Sequence, residues 1–199
     1  MNETLTAIGL CLLGYLSGSL VFALWITRLV KGVDVRDAGS FHATTTNTIR
    51  QAGWLPGAAV FILDISKGYL PTLLAVKYAP YSWVIPVTAG LTVVGHCWPL
   101  FGQFRGGMGL ATAGGSIYAV YPGGFWVGIA IVIALSLSIK HSARAALFTG
   151  ILLAPTFYML GERGIVIWLA AACGLVIALR FRDDWHREYR ELWLDREKN

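Results

Sequence analysis

Long uncharged runs separated by short clusters of charge dominate this chain. Residues 4–27 contain no Asp, Glu, Lys or Arg, and these 24 positions exceed the roughly 20 that a helix needs to cross a bilayer. Residues 51–76 form a second apolar run, interrupted only by Asp64 and Lys67, and residues 78–104 form a third. Residues 106–139 are uncharged for 34 positions, too many for one helix. Pro122-Gly123-Gly124 divides them into helices at about 106–121 and 125–139, because proline ends a helix and glycine favours turns. Residues 145–161 and 164–179 complete the pattern. It predicts an all-α, polytopic membrane protein with seven transmembrane helices over residues 1–180 and a charged cytoplasmic tail over residues 181–199.

Charge sharpens this picture. Charged residues are only 14% of the 199, whereas soluble domains carry about 25%. That deficit excludes an ordinary soluble enzyme and a disordered chain. With the N-terminus outside, 13 Lys and Arg residues face inward and only Lys77 and Arg163 face outward, the bias that sets membrane orientation. The C-terminus is then cytoplasmic. Cys11, Cys97 and Cys173 lie in apolar context without metal-ligand spacing and read as small buried hydrophobes. No Walker loop, nucleophile elbow or zinc motif is present.

Polar residues within and between the runs mark candidate chemistry. Asp64 and Lys67, three apart, share a helix face, as a structural ion pair or a substrate-facing one. The first inner loop carries Arg36, Ser40, Thr46, Asn47 and Arg50, hydroxyl and amide donors beside guanidinium forks that suit a phosphate. The same residues also suit a solvated loop, with Thr46 or Asn47 capping the next helix. The second inner loop brings Arg105, Gly106, Gly107 and Gly109, where glycine allows backbone N–H groups close to a ligand. His96, just before it, reads as a proton shuttle or a satisfied interface histidine. The third loop brings Ser142 between Lys140 and Arg144. Three inner loops that each join cations to small polar residues point to one cytoplasmic-side site for a phosphorylated substrate, whose apolar part lies among the helices.

These residues resemble a known family almost end to end. Gly18-Ser19-Leu20-Val21-Phe22, Asp34-x-Arg36-x-x-Gly39-Ser40, Thr46-Asn47 with Arg50, Asp64-x-x-Lys67-Gly68, Gly95-His96-x-x-Pro99 and Phe104-Arg105-Gly106-Gly107-Met108-Gly109-x-Ala111-Thr112 are similar, in order and spacing, to the motifs of the PlsY family. Those proteins are bacterial acyl-phosphate:glycerol-3-phosphate acyltransferases. Ser142 falls within about one residue of the family's third-motif serine. The resemblance implies seven helices in the bacterial inner membrane and a cytoplasmic active site. It implies transfer of an acyl group from acyl phosphate to the 1-hydroxyl of glycerol 3-phosphate, giving lysophosphatidic acid for phospholipid synthesis. Acyl phosphate, glycerol 3-phosphate and membrane lipids are the implied partners, without cofactor, metal or nucleic acid. No protein base is implied, since the substrate phosphate assists deprotonation. Ser40, Thr46, Asn47, Arg50, Arg105, Gly106, Gly107, Gly109 and Ser142 are the implied phosphate-binding positions.

The chain also departs from the pattern. The family's G-N-x-G-A is Phe41-His42-Ala43-Thr44-Thr45 here, so positive φ and close backbone approach are expected to be difficult at Phe41 and Thr44. The lysine of the glycine motif is Met108. The tail motif R-H-R-E-N is Arg180-Phe181-Arg182-Asp183-Asp184, with His186 nearby but shifted. These departures keep open a catalytically weak or inactive paralogue that binds lipid or a partner protein, and the seven spans with a basic inner face also suit a small-solute transporter.

Overall fold

The computed structural model describes residues 2–187, and every regular element among them is helical. The helices are α1 (Glu3–Gly18), α2 (Phe22–Lys31), α3 (Thr45–Ala52), α4 (Trp54–Tyr78), α5 (Val84–Cys97), α6 (Leu110–Val120), α7 (Pro122–Ile139), α8 (Ser142–Met159) and α9 (Ile165–Arg182). Short 3₁₀ turns at Val35–Asp37 and Leu100–Gly102 punctuate two loops. Among the described residues, five stretches are long and apolar enough to cross a membrane: Glu3–Lys31, Trp54–Tyr78, Val84–Gly102, Pro122–Ile139 and Ile165–Arg182. The shorter apolar helix α6 and the 18-residue α8 pack among them. The chain is an all-helical, polytopic membrane protein.

The first apolar run is not one helix. It breaks at Ser19-Leu20-Val21, and α4 supports the break. The Leu20 carbonyl, left outside both helices, accepts from Lys67 Nζ at 2.7 Å. Lys67 is also paired with Asp64 at 2.8 Å. Pro71 lies inside α4 and has no N–H to give the Lys67 carbonyl, four residues earlier. Ser17 Oγ donates to that carbonyl instead, at 2.9 Å. The buried ion pair is therefore structural at its lysine end: it staples α4 to the α1–α2 junction. The second break falls at Tyr121 alone, because Pro122 opens α7 and its missing N–H is no loss at a helix start.

Three helix pairs meet through glycine. A Cβ on Gly18 of α1 would collide with the Thr92 carbonyl of α5. A Cβ on Gly68 of α4 would strike the Thr112 carbonyl of α6, and one on Gly115 would strike the Ile65 carbonyl in return. Gly150 and Gly174 oppose each other in the same way between α8 and α9. Apolar side chains give helices no advantage over lipid, so close backbone approach at small residues is what holds such pairs together. The largest buried cluster, which includes Val93, Cys97, Phe157, Leu169, Cys173 and Ile177, lies between α5, α6, α8 and α9. Cys97 and Cys173 are buried in it, as their apolar context suggested.

Candidate active site

The segment between α2 and α3 is built on Asp34, Arg36 and Asn47. Asp34 caps the first 3₁₀ turn and pairs side-on with Arg36, at 2.9 Å from Nε and 2.7 Å from Nη2. Hydrogen bonds from the Arg36 guanidinium, helped by its backbone N–H and by the charges of Arg36 and Arg28, outweigh the opposing effect of burial. They hold the Asp34 carboxyl down at about 2. The buried Arg36 then reaches the carbonyls of Gly102 at 2.7 Å and Arg105 at 3.1 Å, locking the first inner loop to the second. Two backbone bonds, from Ala43 N–H to the Gly106 carbonyl and from Gly107 N–H to the His96 carbonyl, complete that lock.

Asn47 is fully buried and works inside the loop. Its amide donates to the carbonyls of Val35, Ala38 and His42 at 2.6, 3.1 and 3.1 Å, and its oxygen accepts from Ser40 N–H at 3.3 Å. Gly39 sits at φ +65°, with its α-carbon against that amide oxygen, so a side chain there would clash. Phe41 also adopts a left-handed conformation, φ +59°, although it is not glycine, and its ring stays exposed under the Arg187 guanidinium. Positive φ is difficult for phenylalanine, as expected, and the Asn47 staple holds the backbone in it from either side. Thr44 needs no glycine conformation. At φ −123° it caps α3 with its side chain on Asn47 N–H, so the cap falls earlier than Thr46 or Asn47.

A cavity of about 340 Å³ opens where these loops meet the helices. Ser40, Thr46 and Arg50 line it from the first loop and α3, Gly109 from the start of α6, and Ser142 from the start of α8. Five of the nine expected site residues therefore share one wall system, and all three inner loops contribute. Asp64 and His96 line it too, while Lys67 does not. His96 is buried, its Nδ1 3.7 Å from Asp64 Oδ1 and without a hydrogen-bond partner among the described residues. Met108 lines the cavity, which places the missing lysine of the motif on its wall.

The other four expected residues sit elsewhere. Asn47 frames the loop. Arg105 is exposed, and its carbonyl serves Arg36. Gly106 and Gly107 are packed against His96, where a Cβ on either would collide with its backbone or ring. Their glycine character comes from that packing. The cations flanking Ser142 also turn away: Lys140 is exposed, and Arg144 donates to the Trp185 carbonyl at 3.2 Å over the indole ring. Outside those nine positions, His42, Thr44 and Thr45 also line the cavity, and Arg180 reaches the Gly107 carbonyl at 3.0 Å. His186, the candidate replacement for the tail histidine, is exposed.

Toward the middle of α4, α6 and α7 the cavity turns apolar. Phe61, Leu110, Ala111 and Val132 belong to its wall and equally to that of a second cavity of about 180 Å³, which runs on between α4, α6 and α7 past Ile117 and Phe125. A polar chamber that continues into an apolar groove suits a molecule with a charged head and a hydrocarbon chain.

Comparison with known proteins agrees with this geometry. A family model described as glycerol-3-phosphate acyltransferase matches residues 8–191. The glycerol-3-phosphate acyltransferase of Aquifex aeolicus is 35% identical over 182 residues, covering 91% of this chain and 94% of that one. That of Anaeromyxobacter dehalogenans is 34% identical over 196 residues, covering 96% and 97%. Two crystal structures of PlsY (YgiH), an integral membrane glycerol 3-phosphate acyltransferase, superpose closely. The glycerol 3-phosphate form gives a TM-score of 0.81 at 35% identity, covering 91% of this chain and 90% of that one. The lysophosphatidic acid form gives 0.80 at 34%, with the same coverage. Motif order, helix arrangement and whole-chain identity all agree, and the chain belongs to the glycerol-3-phosphate acyltransferase family.

Proposed function

We propose that this chain acylates the 1-hydroxyl of glycerol 3-phosphate with acyl phosphate as donor, in the cavity under α3 and on the cytoplasmic side of the bacterial inner membrane. It is a membrane glycerol-3-phosphate acyltransferase by family, and that membership favours an enzyme over a lipid-binding paralogue or a transporter. The observation that carries the reading is the cavity itself: Ser40, Thr46, Arg50 and Ser142 face one chamber that opens into an apolar groove. Ser40, Thr46, Gly109 and Ser142 present small donors to phosphate oxygens, and Arg50 supplies a fixed positive charge with fork geometry. The acyl chain lies along Phe61, Leu110 and Val132. Asn47, Arg105, Gly106 and Gly107 act one step back, by holding the loops. The test is donor choice. Glycerol 3-phosphate acylation by the purified protein is expected with palmitoyl phosphate and not with palmitoyl-CoA or palmitoyl-acyl carrier protein. Turnover with a thioester alone contradicts the proposal.

Seven crossings follow if α1 and α2 cross together and the short helices α6 and α8 also cross, with the charged tail beyond α9 inside. The loops that carry Arg36 and Arg105 and the helix ends that carry Arg50 and Arg180 meet at one end of the bundle, the end that the Lys and Arg bias assigns to the cytoplasm. In cells, an impermeant maleimide is expected to label Lys77→Cys from outside and to leave Lys31→Cys unlabelled until the membrane is opened. Both positions are exposed on the protein. The reverse pattern refutes this orientation.

Met108→Lys returns a cation to the cavity wall. Without ligand the new ammonium lies in a confined site and is expected to lower the unfolding midpoint. With glycerol 3-phosphate bound, it is expected to tighten binding by about 1.5–3 kcal/mol, the scale of a hydrogen bond to a charged group. Titration calorimetry of the parent and the variant measures this. An unchanged Kd shows that the phosphate sits away from position 108.

A further inference from the structure

The apolar groove has a closed end. Along α7, moving away from the polar chamber, Ser136 lines the chamber, Val132 lines both cavities, and Gly128 and Phe125 line the groove. Along α8, Ser142 lines the chamber and Leu153 lines the groove. The Phe125 ring reaches across to α6. A Cβ on Gly114 would meet that ring at 3.0 Å, and the Tyr118 ring stands edge-on to it with centroids 5.7 Å apart. About one turn beyond Leu153, the fully buried Phe157 meets Tyr121 edge-on at 5.5 Å. A Cβ on Gly124 would collide with both of those rings. Two layers of aromatic rings therefore close the groove past Phe125.

Gly128 differs from the glycines that join helices. Within 4 Å a Cβ there would meet only Leu153 Cδ2, at 3.5 Å, an ordinary contact. Glycine weakens a helix relative to alanine, and no close backbone approach offsets that at Gly128. Its missing side chain leaves width in the groove just before the rings. The length follows from helix geometry. Ser136 and Phe125 are 11 positions apart, and so are Ser142 and Leu153. At about 1.5 Å per residue, both helices give a run of about 16 Å from chamber to groove end. An extended hydrocarbon advances about 1.25 Å per carbon, from bonds of about 1.5 Å and angles near 111°, so the run holds about 13 carbons. The carbonyl carbon and one or two neighbours lie in the chamber, which makes a whole chain of about 14–16 carbons.

We propose that Phe125, backed by Tyr118, is the chain-length stop of the acyl groove, and that it admits donors of up to about 16 carbons and rejects longer ones; the assignment rests on the acyltransferase reading above. The two sides of the length profile differ in physical origin. Lipid tails are as apolar as the groove wall, so a short donor that leaves the end of the groove to lipid loses little. A long donor must displace rings packed against α6. One ill-fitting methylene in an apolar pocket costs about 10–200-fold in rate. The profile is therefore gentle toward short chains and steep toward long ones.

The test measures kcat/KM for lauroyl, myristoyl, palmitoyl and stearoyl phosphates with glycerol 3-phosphate, read as lysophosphatidic acid formed, in the parent, Phe125→Ala, Phe125→Leu and Gly128→Leu. Dividing each variant by the parent at the same chain length cancels the partitioning of donors into detergent. The parent is expected to fall about tenfold or more from palmitoyl to stearoyl phosphate. Phe125→Ala is expected to raise the stearoyl-to-palmitoyl ratio about tenfold. Phe125→Leu, which keeps an apolar side chain against Gly114, is expected to raise it less, and it decides the matter if alanine leaves no folded protein. Gly128→Leu places a side chain about one turn short of Phe125 and is expected to lower the palmitoyl-to-lauroyl ratio about tenfold. Parent-like ratios in the Phe125 variants or in Gly128→Leu overturn the proposal whatever the overall rate, since a residue that only packs lowers all four donors alike. A parent that uses stearoyl and palmitoyl phosphates equally overturns it as well. A parent that forms no lysophosphatidic acid from any of the four overturns the acyltransferase reading and the stop with it. An active parent with unmoved ratios in the variants overturns the stop alone.

Discussion

Arg50→Ala is expected to lower kcat/KM for glycerol 3-phosphate acylation by about a thousandfold. Arg50 sits in the last turn of α3, on the wall of the cavity. Thr44 caps the other end of that helix, and Asn47, on the same helix, ties it to the loop below. The guanidinium is therefore presented by a short, fixed element. Each hydrogen bond from a charged donor to a phosphate oxygen contributes about 1.5–3 kcal/mol, and the fork makes two. Their sum spans a factor of about 10²–10⁴. Arg50→Lys keeps the charge, loses the fork and recovers only part of the rate. His96→Ala is expected to cost less, because His96 holds Gly107 through its backbone carbonyl, which the substitution leaves in place. Steady-state kinetics on the three variants gives the ranking. A larger loss at His96 than at Arg50 contradicts the assignment of the phosphate cation.

Gly68→Val is expected to prevent recovery of folded protein. Its Cβ would drive into the Thr112 backbone carbonyl, and Gly115 sets the reciprocal limit one helix away. Ser116 Oγ also donates to the Gly68 carbonyl at 3.1 Å, so separating α4 from α6 breaks that bond. Backbone cannot yield as a side-chain tip does, and the cost is about 3 kcal/mol or more. Gly9→Val is the control, since nothing lies within 4 Å of a Cβ there. Size-exclusion profiles after detergent extraction are expected to show a single sharp peak for Gly9→Val and none for Gly68→Val. A sharp peak for both shows that the α4–α6 seam tolerates a side chain at Gly68.

The spans were legible because they depend on runs: a helix in lipid must be apolar over its length, and charge marks its ends. The α1–α2 break escaped the same logic. Ser19-Leu20-Val21 carries no charge, and what stabilises the open Leu20 carbonyl is Lys67, 47 positions away. The convergence of Ser40, Thr46, Arg50 and Ser142 was legible because each inner loop pairs cations with small donors. The role of each donor was not. Asn47 and Arg36 have the chemistry of ligand groups, yet three carbonyls occupy the Asn47 amide and two occupy Arg36. A side chain that can bind phosphate can equally bind backbone, and only the fold decides which. Phe41 teaches the converse. Glycine is preferred at positive φ, but a loop fixed by Asn47 imposes that conformation on a phenylalanine.

If one cavity joins the acyl group of acyl phosphate to glycerol 3-phosphate, both products appear together. The most direct measurement counts both products from the purified protein given palmitoyl phosphate and glycerol 3-phosphate. Inorganic phosphate and lysophosphatidic acid are expected in equal amounts, each absent when glycerol 3-phosphate is withheld. Phosphate released at the same rate without glycerol 3-phosphate, or no lysophosphatidic acid formed at all, would contradict it.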